Sequence, residues 1–201
     1  MLTTHVNRMN DYCNGIAYAT GYMAKENGKQ YLVVRNLDPF YPRMIERESK
    51  HNVYESKHNA KRDGLSQWAI KAKDINRIPD LAEIKNINDF CRAYIEIHGM
   101  IDLAHAKDRR GNRTRRPRLR IYGNEEIISF INNSLPAKNK KIQHICNVVD
   151  SDYIGQTCAL YYQSAKEIAD ILEWLDGDPK NERIWNKWKE TIQRRSTVAE
   201  N

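Results

Sequence analysis

The chain has 201 residues, 40% of them hydrophobic, which is enough to bury a core as one domain or as two small fused domains and argues against overall disorder. Its 33 Lys and Arg outnumber 26 Asp and Glu, giving a formal net charge of +7, and eight of the basic residues lie between Lys107 and Arg120. A block of this density favours a polyanionic partner, and nucleic acid is the first candidate.

Cysteine spacing and hydropathy exclude several other classes. The sequence contains no CxxC pair, so we expect buried, reduced thiols rather than a zinc ribbon or finger. No apolar run approaches the roughly 18 residues of a membrane-spanning helix, and the first residues lack the charged and apolar regions of a signal peptide. We therefore expect a soluble, intracellular (cytoplasmic) protein with no membrane partner. The four cysteines are Cys13, Cys91, Cys146 and Cys158.

The first predicted element is a short helix over residues 14–28. Ala17 and Gly21 lie four residues apart on one face, where small side chains let a second helix approach closely. Gly28 can adopt the left-handed conformation that ends a helix, which places Glu26 at the C-terminal end. The partial negative charge of that end and the Glu26 carboxylate together favour a hard divalent cation.

The rest of the first half predicts a strand, a helix, a hairpin and another helix. Asp38 is expected to cap the second helix, with Pro39 at its first position and a stripe of apolar residues beyond it. Asp63 and Gly64 supply the turn of the hairpin. The predicted ranges are a strand over 29–36, a helix over 38–49, strands over 52–57 and 66–73, and a helix over 74–84.

The second half repeats this order of elements. A last basic helix follows the repeat, and Trp185 and Trp188 are expected to pack it onto the body. Matching the halves by position gives offsets of 72 residues for the opening helices, 87 for the next strand and 90 for the last strand and helix, so an insertion of fifteen residues falls on the basic block. The predicted helices cover 89–100, 124–135 and 165–175, and the strands cover 100–106, 117–122, 142–149 and 157–163.

Both opening helices, at residues 14–28 and 89–100, resemble the LAGLIDADG motif of homing endonucleases. In that family two such helices pack side by side at the centre of the protein, and each delivers an acidic residue from its C-terminal end to a metal site beneath the scissile phosphates. At the offset of 72, Glu26 is the acid of the first copy and His98 stands at that position in the second. Asn27 replaces the last glycine of the first motif, and Ala93 replaces the first glycine of the second.

The resemblance extends over residues 10–193 and implies an α+β fold. The fold is a pseudo-twofold duplicated αββαββα unit with two central packed helices and antiparallel, saddle-shaped sheets. The expected halves are residues 10–85 and 86–193, the second with a basic arm over 107–116, and a polar tail follows at 194–201. The likeness to single-chain members of the family implies a monomer.

The resemblance also implies that the strands of each half lie along the major groove of double-stranded DNA, with RNA as a second possible ligand. One face of an antiparallel sheet can pack on helices while the other meets phosphates and bases. Arginine can bridge guanine O6 and N7, whereas lysine mostly contributes phosphate affinity. The candidate DNA-binding residues are Lys29, Arg35, Lys57, Lys61, Arg62, Lys71, Arg109, Arg110, Arg113, Arg115, Arg116, Arg118 and Arg120.

For phosphodiester hydrolysis, the resemblance implies that Glu26 and His98 hold Mg²⁺ or Mn²⁺, with Lys73 and Lys166 as basic residues near the cleavage centre. A neutral imidazole is a poor magnesium ligand, although it suits softer metals. Glu96 is two residues from His98 and therefore about 200° away around the helix, so it is not expected to substitute. Cleavage of both strands, of one strand or of neither is consistent with these residues.

These sequence features are consistent with three candidate functions. The first is a site-specific double-stranded DNA endonuclease or nickase that uses a divalent metal. The second is a nucleic-acid-binding protein that does not cleave, either a transcriptional regulator or an RNA splicing maturase, and His98, Ala93 and Asn27 favour it. The third is a scaffold that binds another protein, which salt-insensitive binding would distinguish from DNA recognition.

Overall fold

The computed structural model describes residues 9–56, 67–107, 111, 113–137, 142–150, 153–175 and 181–193. These residues form six α-helices and two four-stranded antiparallel sheets, which confirms the predicted α+β class. The chain divides into two compact units, Met1–Ile97 and His98–Asn201. Within the described ranges, no helix is long and apolar enough to cross a membrane.

The first unit carries a sheet with strand order β1-β2-β4-β3. Its first helix begins where the Asn10 side chain accepts a hydrogen bond of 2.9 Å from the Cys13 backbone N–H, an ordinary N-cap. The elements are α1 (Asp11–Thr20), β1 (Gly21–Glu26), β2 (Lys29–Asn36), α2 (Phe40–Glu48), β3 (Tyr54–Ser56), β4 (Gln67–Ala72), a 3-10 turn (Leu81–Glu83) and α3 (Ile87–His98).

The core of this unit lies between one face of the sheet and the helices. Leu32 and Val34 on β2 and Ile70 and Ala72 on β4 are fully buried there, as the two-residue alternation of strands requires. Ile45 of α2 completes the layer from the helical side. The opposite face of the sheet therefore carries the other half of each strand, and we call it the outward face.

Two helices predicted in the first unit are different in the structure. The helix over 14–28 ends at Thr20, and the chain continues as β1 because Asn27 (φ 50°) and Gly28 (φ 79°) form a two-residue turn with both φ angles positive. Asn-Gly is the favoured sequence for such a hairpin turn, and Glu26 pairs with Lys29 across it. Glu26 therefore lies at a hairpin tip, and its expected position at a helix C-terminus was wrong.

The helix predicted over 74–84 is mostly extended chain. A turn at Lys73 and Asp74 follows β4, and the Ile75 carbonyl beyond it accepts a 2.9 Å hydrogen bond from the Leu32 N–H of β2. Pro79 disfavours the helical conformation at Ile78, and Asp80 then caps only the short 3-10 turn. The apolar spacing that suggested a helix instead places Ile75 in the core, with Ile78 packed beside it.

The second unit has the same order, with a sheet β5-β6-β8-β7. Asn124 caps its first helix by accepting a 3.0 Å hydrogen bond from the Ile127 N–H. Trp185 and Trp188 are buried and meet edge to face at 5.1 Å, as predicted for the last helix. The elements are β5 (Gly99–Lys107), β6 (Arg113–Gly123), α4 (Glu125–Ser134), β7 (Gln143–Asp150), β8 (Tyr153–Tyr162), α5 (Ala165–Leu175) and α6 (Glu182–Gln193).

The strand registers define how the two units correspond. Gly21 pairs with Val34 in the first sheet, and Gly99 pairs with Ile121 in the second. The predicted offsets of 87 for β2 and β6 and 90 for β4 and β8 are confirmed, but the opening helices are 78 residues apart rather than 72. The insertion is therefore nine residues, not fifteen.

These nine residues lengthen the β5–β6 hairpin. Its backbone pairing continues to Lys107 opposite Arg113, so five of the six described residues in the basic segment expected as an arm over 107–116 are strand. Residues 108–110 and 112 lie outside the described part of the chain.

Helix α3 belongs to the first unit by its contacts, which places the division at 97/98 rather than at 85/86. A Cβ on Gly15 of α1 would lie only 2.4 Å from the Phe90 carbonyl oxygen and 2.9 Å from the Ala93 Cβ. The two helices therefore touch at backbone distance. Gly15 makes this contact, whereas Gly21 follows the helix and a Cβ there would meet the Ala17 carbonyl.

Candidate nucleic-acid interface

The outward face of the first sheet combines cations with tyrosines. Tyr22 on β1 and Lys71 on β4 are exposed, and both lie in register with Val33 of β2 between them. The guanidinium of Arg35 lies 5.8 Å from the centre of the Tyr22 ring, and the Lys73 ammonium lies 5.8 Å from the centre of the Tyr31 ring. Such cation–π pairs hold both cations against the sheet without neutralising their charge.

Glu26 lies at the hairpin end of this face, beside a cation. Its carboxylate is 2.6 Å from the Lys73 ammonium, and both side chains are 51% exposed. The hydrogen bond from Lys73 lowers the pKa of Glu26 below its ordinary value, and the same bond raises the pKa of Lys73. An open groove next to the pair is lined by polar residues that include Lys25 and Lys29. The setting is cationic, with Glu26 as a local counter-charge.

The C-terminal residues of α1 and α3 are Thr20 and His98, and the 78-residue offset places them at equivalent positions. The Thr20 hydroxyl donates a hydrogen bond to the backbone carbonyl of Arg35. Glu26 is five residues further along β1 than Gly21, about 16 Å at the usual rise of a strand. Neither helix therefore ends in a carboxylate, and Thr20 was missed as the residue at this position.

A sequence signal for the correct offset exists. Residues 10–13 read Asn-Asp-Tyr-Cys and residues 88–91 read Asn-Asp-Phe-Cys, which are 78 positions apart. This repeat aligns Thr20 with His98 and Gly15 with Ala93. The offset of 72 aligned Gly21 with Ala93 instead, because the glycine was assigned to the wrong position of the motif.

These residues do not fit a magnesium site at the helix ends. Magnesium prefers carboxylate and other oxygen ligands in near-octahedral geometry. The groups available here are the Thr20 hydroxyl, which is hydrogen-bonded to a backbone carbonyl, and the His98 imidazole. Glu96 is buried, as expected from its place on the helix, and it accepts a hydrogen bond from the Tyr12 hydroxyl. Burial is the main reason that the pKa of Tyr12 is raised. Among the described side chains, no three His, Cys, Asp or Glu are grouped as metal ligands.

Leu119 and Ile121 of β6 are fully buried, and the opposite, outward face of the second sheet contains a charged cluster. Arg118 donates to both Asp102 oxygens, at 3.0 and 2.8 Å, and Arg120 donates to the second of them at 2.6 Å. The Arg120 guanidinium also lies 5.9 Å from the centre of the Tyr122 ring. The hydrogen bond from Arg118 is the largest reason that the pKa of Asp102 is lowered, and Arg120 adds to it. We call Asp102, Arg118 and Arg120 the Asp102 cluster.

The remaining predicted residues are distributed as follows. Lys29 and Arg116 are exposed, and Lys166 is exposed in the first turn of α5. Lys73 is next to Glu26 at the hairpin tip, and both are therefore remote from the C-terminal end of α1. Arg113 and Arg115 lie on β6, and the structure describes only their backbone. The predicted contacts outside the described residues are Lys57, Lys61, Arg62, Arg109 and Arg110.

Three cysteines have described side chains, and all are buried, in agreement with the expectation of buried thiols: Cys13, Cys91 and Cys158. Burial is also the main cause of the raised pKa of the Cys13 thiol, which is about 12. Burial also raises the pKa of the Cys158 thiol, so Cys13 and Cys158 are protonated near neutral pH and serve packing rather than nucleophilic chemistry.

The sequence matches no protein-family model and no curated protein, but solved structures do match it. The I-LtrWI LAGLIDADG homing endonuclease bound to target DNA is 11% identical, with a TM-score of 0.64 over 96% of this chain and 92% of that one. I-SmaMI bound to cleaved DNA is 9% identical, with a TM-score of 0.59 over 96% and 91%. Mesophilic variants of I-DmoI are 14% identical, with a TM-score of 0.51 over 88% and 99%.

The chain is thus a duplicated α+β protein in which each of two four-stranded sheets presents arginine beside tyrosine on its outward face. This architecture is the LAGLIDADG homing endonuclease fold, which confirms the resemblance seen in the sequence. At such low identities, the likeness establishes the fold alone.

Proposed function

We propose that this chain, as a single copy, binds double-stranded DNA through the outward faces of its two sheets and does not cleave it with magnesium. The observation that carries the proposal is the contrast between those faces and the helix ends. The faces hold Arg35 and Arg120 against tyrosine rings, while α1 and α3 end in Thr20 and His98.

Two arguments support DNA as the ligand. Antiparallel strands fit the major groove, and arginine held at a sheet surface matches the acceptors of guanine there. Several structural neighbours are named as complexes with DNA targets. A formal net charge of +7 adds a general attraction for phosphates, which weakens with salt.

The second candidate function is metal-dependent cleavage of one or both strands. His98 favours it, because an imidazole at the end of α3 suits Mn²⁺ or a softer metal better than Mg²⁺. In that case His98 and one or more oxygen ligands outside the expected pair would have to hold the metal, since Glu26 is paired with Lys73 at the hairpin tip.

A binding selection followed by a strand-cutting assay tests both candidates. The purified chain is incubated with a randomised duplex library, and retained duplexes are sequenced, with single-stranded and duplex RNA as competitors. We expect enrichment of particular duplexes, retention that falls as salt rises, and no new strand ends on denaturing gels with Mg²⁺ or Mn²⁺. A cut that disappears in His98→Ala would establish the second candidate, and no retention of DNA at low salt would overturn the first.

A further inference from the structure

The Asp102 cluster orders two arginines on the outward face of the second sheet. Asp102 on β5 is directly opposite Arg118 on β6, and Met100 is directly opposite Arg120. One carboxylate therefore receives three hydrogen bonds from two guanidinium groups. The Met100 sulfur lies 3.1 Å from the same Arg120 nitrogen that contacts Asp102. Side-chain exposures of 27% for Asp102 and Arg118 and 19% for Arg120 show that the cluster is shielded without being closed to solvent.

The fold does not need this cluster. The strand registers make Ala24 the equivalent of Asp102, Tyr31 the equivalent of Arg118 and Val33 the equivalent of Arg120. The first sheet therefore forms the same pairing with one aromatic and two apolar side chains at these positions. The first unit forms its sheet without such a cluster. The cluster in the second unit is therefore better explained by binding of a ligand than by a requirement of folding.

The hydrogen bonds leave a recognition edge on Arg118. A guanidinium has five N–H donors, and the Asp102 carboxylate engages the edge formed by Nε and Nη2. The edge formed by Nη1 and the second Nη2 hydrogen keeps two parallel donors, which is the arrangement that guanine O6 and N7 accept in the major groove. Asp102 thus fixes the orientation of the Arg118 guanidinium in the unbound protein, so less side-chain entropy is lost on binding to DNA.

We propose that Asp102 is a positioning residue that presents Arg118, with Arg120 beside it, to a guanine of a G·C pair and so sets part of the sequence preference of this chain. The inference rests on the proposed binding of duplex DNA. Asp102 also places a negative charge near the phosphates, so it lowers affinity for DNA in general while it raises discrimination between sequences. These two effects have opposite signs, and a purely structural residue would not produce them together.

Asp102→Asn tests the proposal, because asparagine keeps the size of the side chain and removes its charge. The selection is repeated with the variant, and affinities are measured for the preferred duplex, for duplexes in which each G·C pair is exchanged, and for a random duplex. We expect affinity for the random duplex to rise and discrimination at one G·C position to fall by about tenfold. Glu173→Gln, an exposed position on α5 with the same change of charge, is the matched control and should leave discrimination unchanged.

Arg118→Lys is the second variant, because it keeps the charge and loses the fork. It should lose discrimination at the same position with little change in affinity for the random duplex. Unchanged discrimination in Asp102→Asn overturns the inference, and so does an equal loss of affinity for all duplexes. If Asp102→Asn does not fold, Arg118→Lys decides by the same criterion. Failure of the wild-type chain to retain any duplex is a different result, since it overturns the proposed function itself.

Discussion

The contact between α1 and α3 gives a quantitative test of the fold, through Gly15→Ala. An alanine Cβ at this position would lie 2.4 Å from the Phe90 carbonyl oxygen, which is backbone and cannot rotate away. It would also lie 2.9 Å from the Ala93 Cβ. Real Cβ atoms do not approach this closely, so the helices must separate.

The expected magnitude is the difference of two effects. Overpacking of a closely packed core costs about 1–3 kcal/mol. Replacing glycine by alanine inside a helix stabilises the folded state by about 1 kcal/mol, because alanine has the higher helix propensity. Because the nearest contact is with backbone, we take the upper part of the first range and expect a net loss of about 1–2 kcal/mol, or about 3–6 °C in Tm for a chain of this length.

Thermal and urea denaturation of Gly15→Ala and the wild type measure this loss. A double-mutant cycle with Ala93→Gly is the control, since removal of the Ala93 Cβ relieves the 2.9 Å contact and should recover part of the loss. The contact with the Phe90 carbonyl remains, so recovery should be incomplete. If Gly15→Ala is as stable as the wild type or more stable, the substitution changes only the helix propensity of this position. That result would refute the close approach of α1 and α3.

Two further predictions concern single carboxylates of the first unit. Glu26→Gln frees Lys73 from its counter-charge, so affinity for duplex DNA should rise about two- to threefold at low salt and less at high salt. Glu55→Gln, which changes the charge by the same amount, is the control. Loss of metal-dependent cleavage at unchanged affinity would instead show that Glu26 holds a metal. Asp74 is half-buried, and burial raises its pKa, but the hydrogen bonds from Ser49 (2.7 Å) and the Lys50 N–H (3.0 Å) outweigh burial and hold the pKa below the usual 3.8. The stabilisation by the ionised Asp74 carboxylate is therefore present above pH 4 and is lost as the pH falls through the pKa of Asp74 in the folded state. Asp74→Asn should be less stable than the wild type at pH 7 and should lose less stability on acidification. A dependence of stability on acid pH parallel to that of the wild type would contradict this account.

The sequence by itself determined β2, α2, β3 and β4 of the first unit and the strands and helices of the second unit. A run of residues that favour strands specifies β2, and α4 and α5 follow a clear helical period. These patterns arise from burial of one face of each element, which is local enough to be visible in a single sequence. The buried Trp185 and Trp188 are determined in the same way.

Tertiary structure alone decided where α1 ends and which residues stand at the helix ends. The β1 segment contains Met23, Ala24, Lys25 and Glu26, which favour a helix in isolation, but six consecutive pairings with β2 override that propensity. The same pairing moved Glu26 to the hairpin tip and left Thr20 at the position equivalent to His98. The Asp102 cluster was equally invisible, because its members are sixteen and eighteen residues apart and are joined only by the register of β5 and β6. Long-range strand pairing, which no local pattern encodes, is the physical reason in both cases.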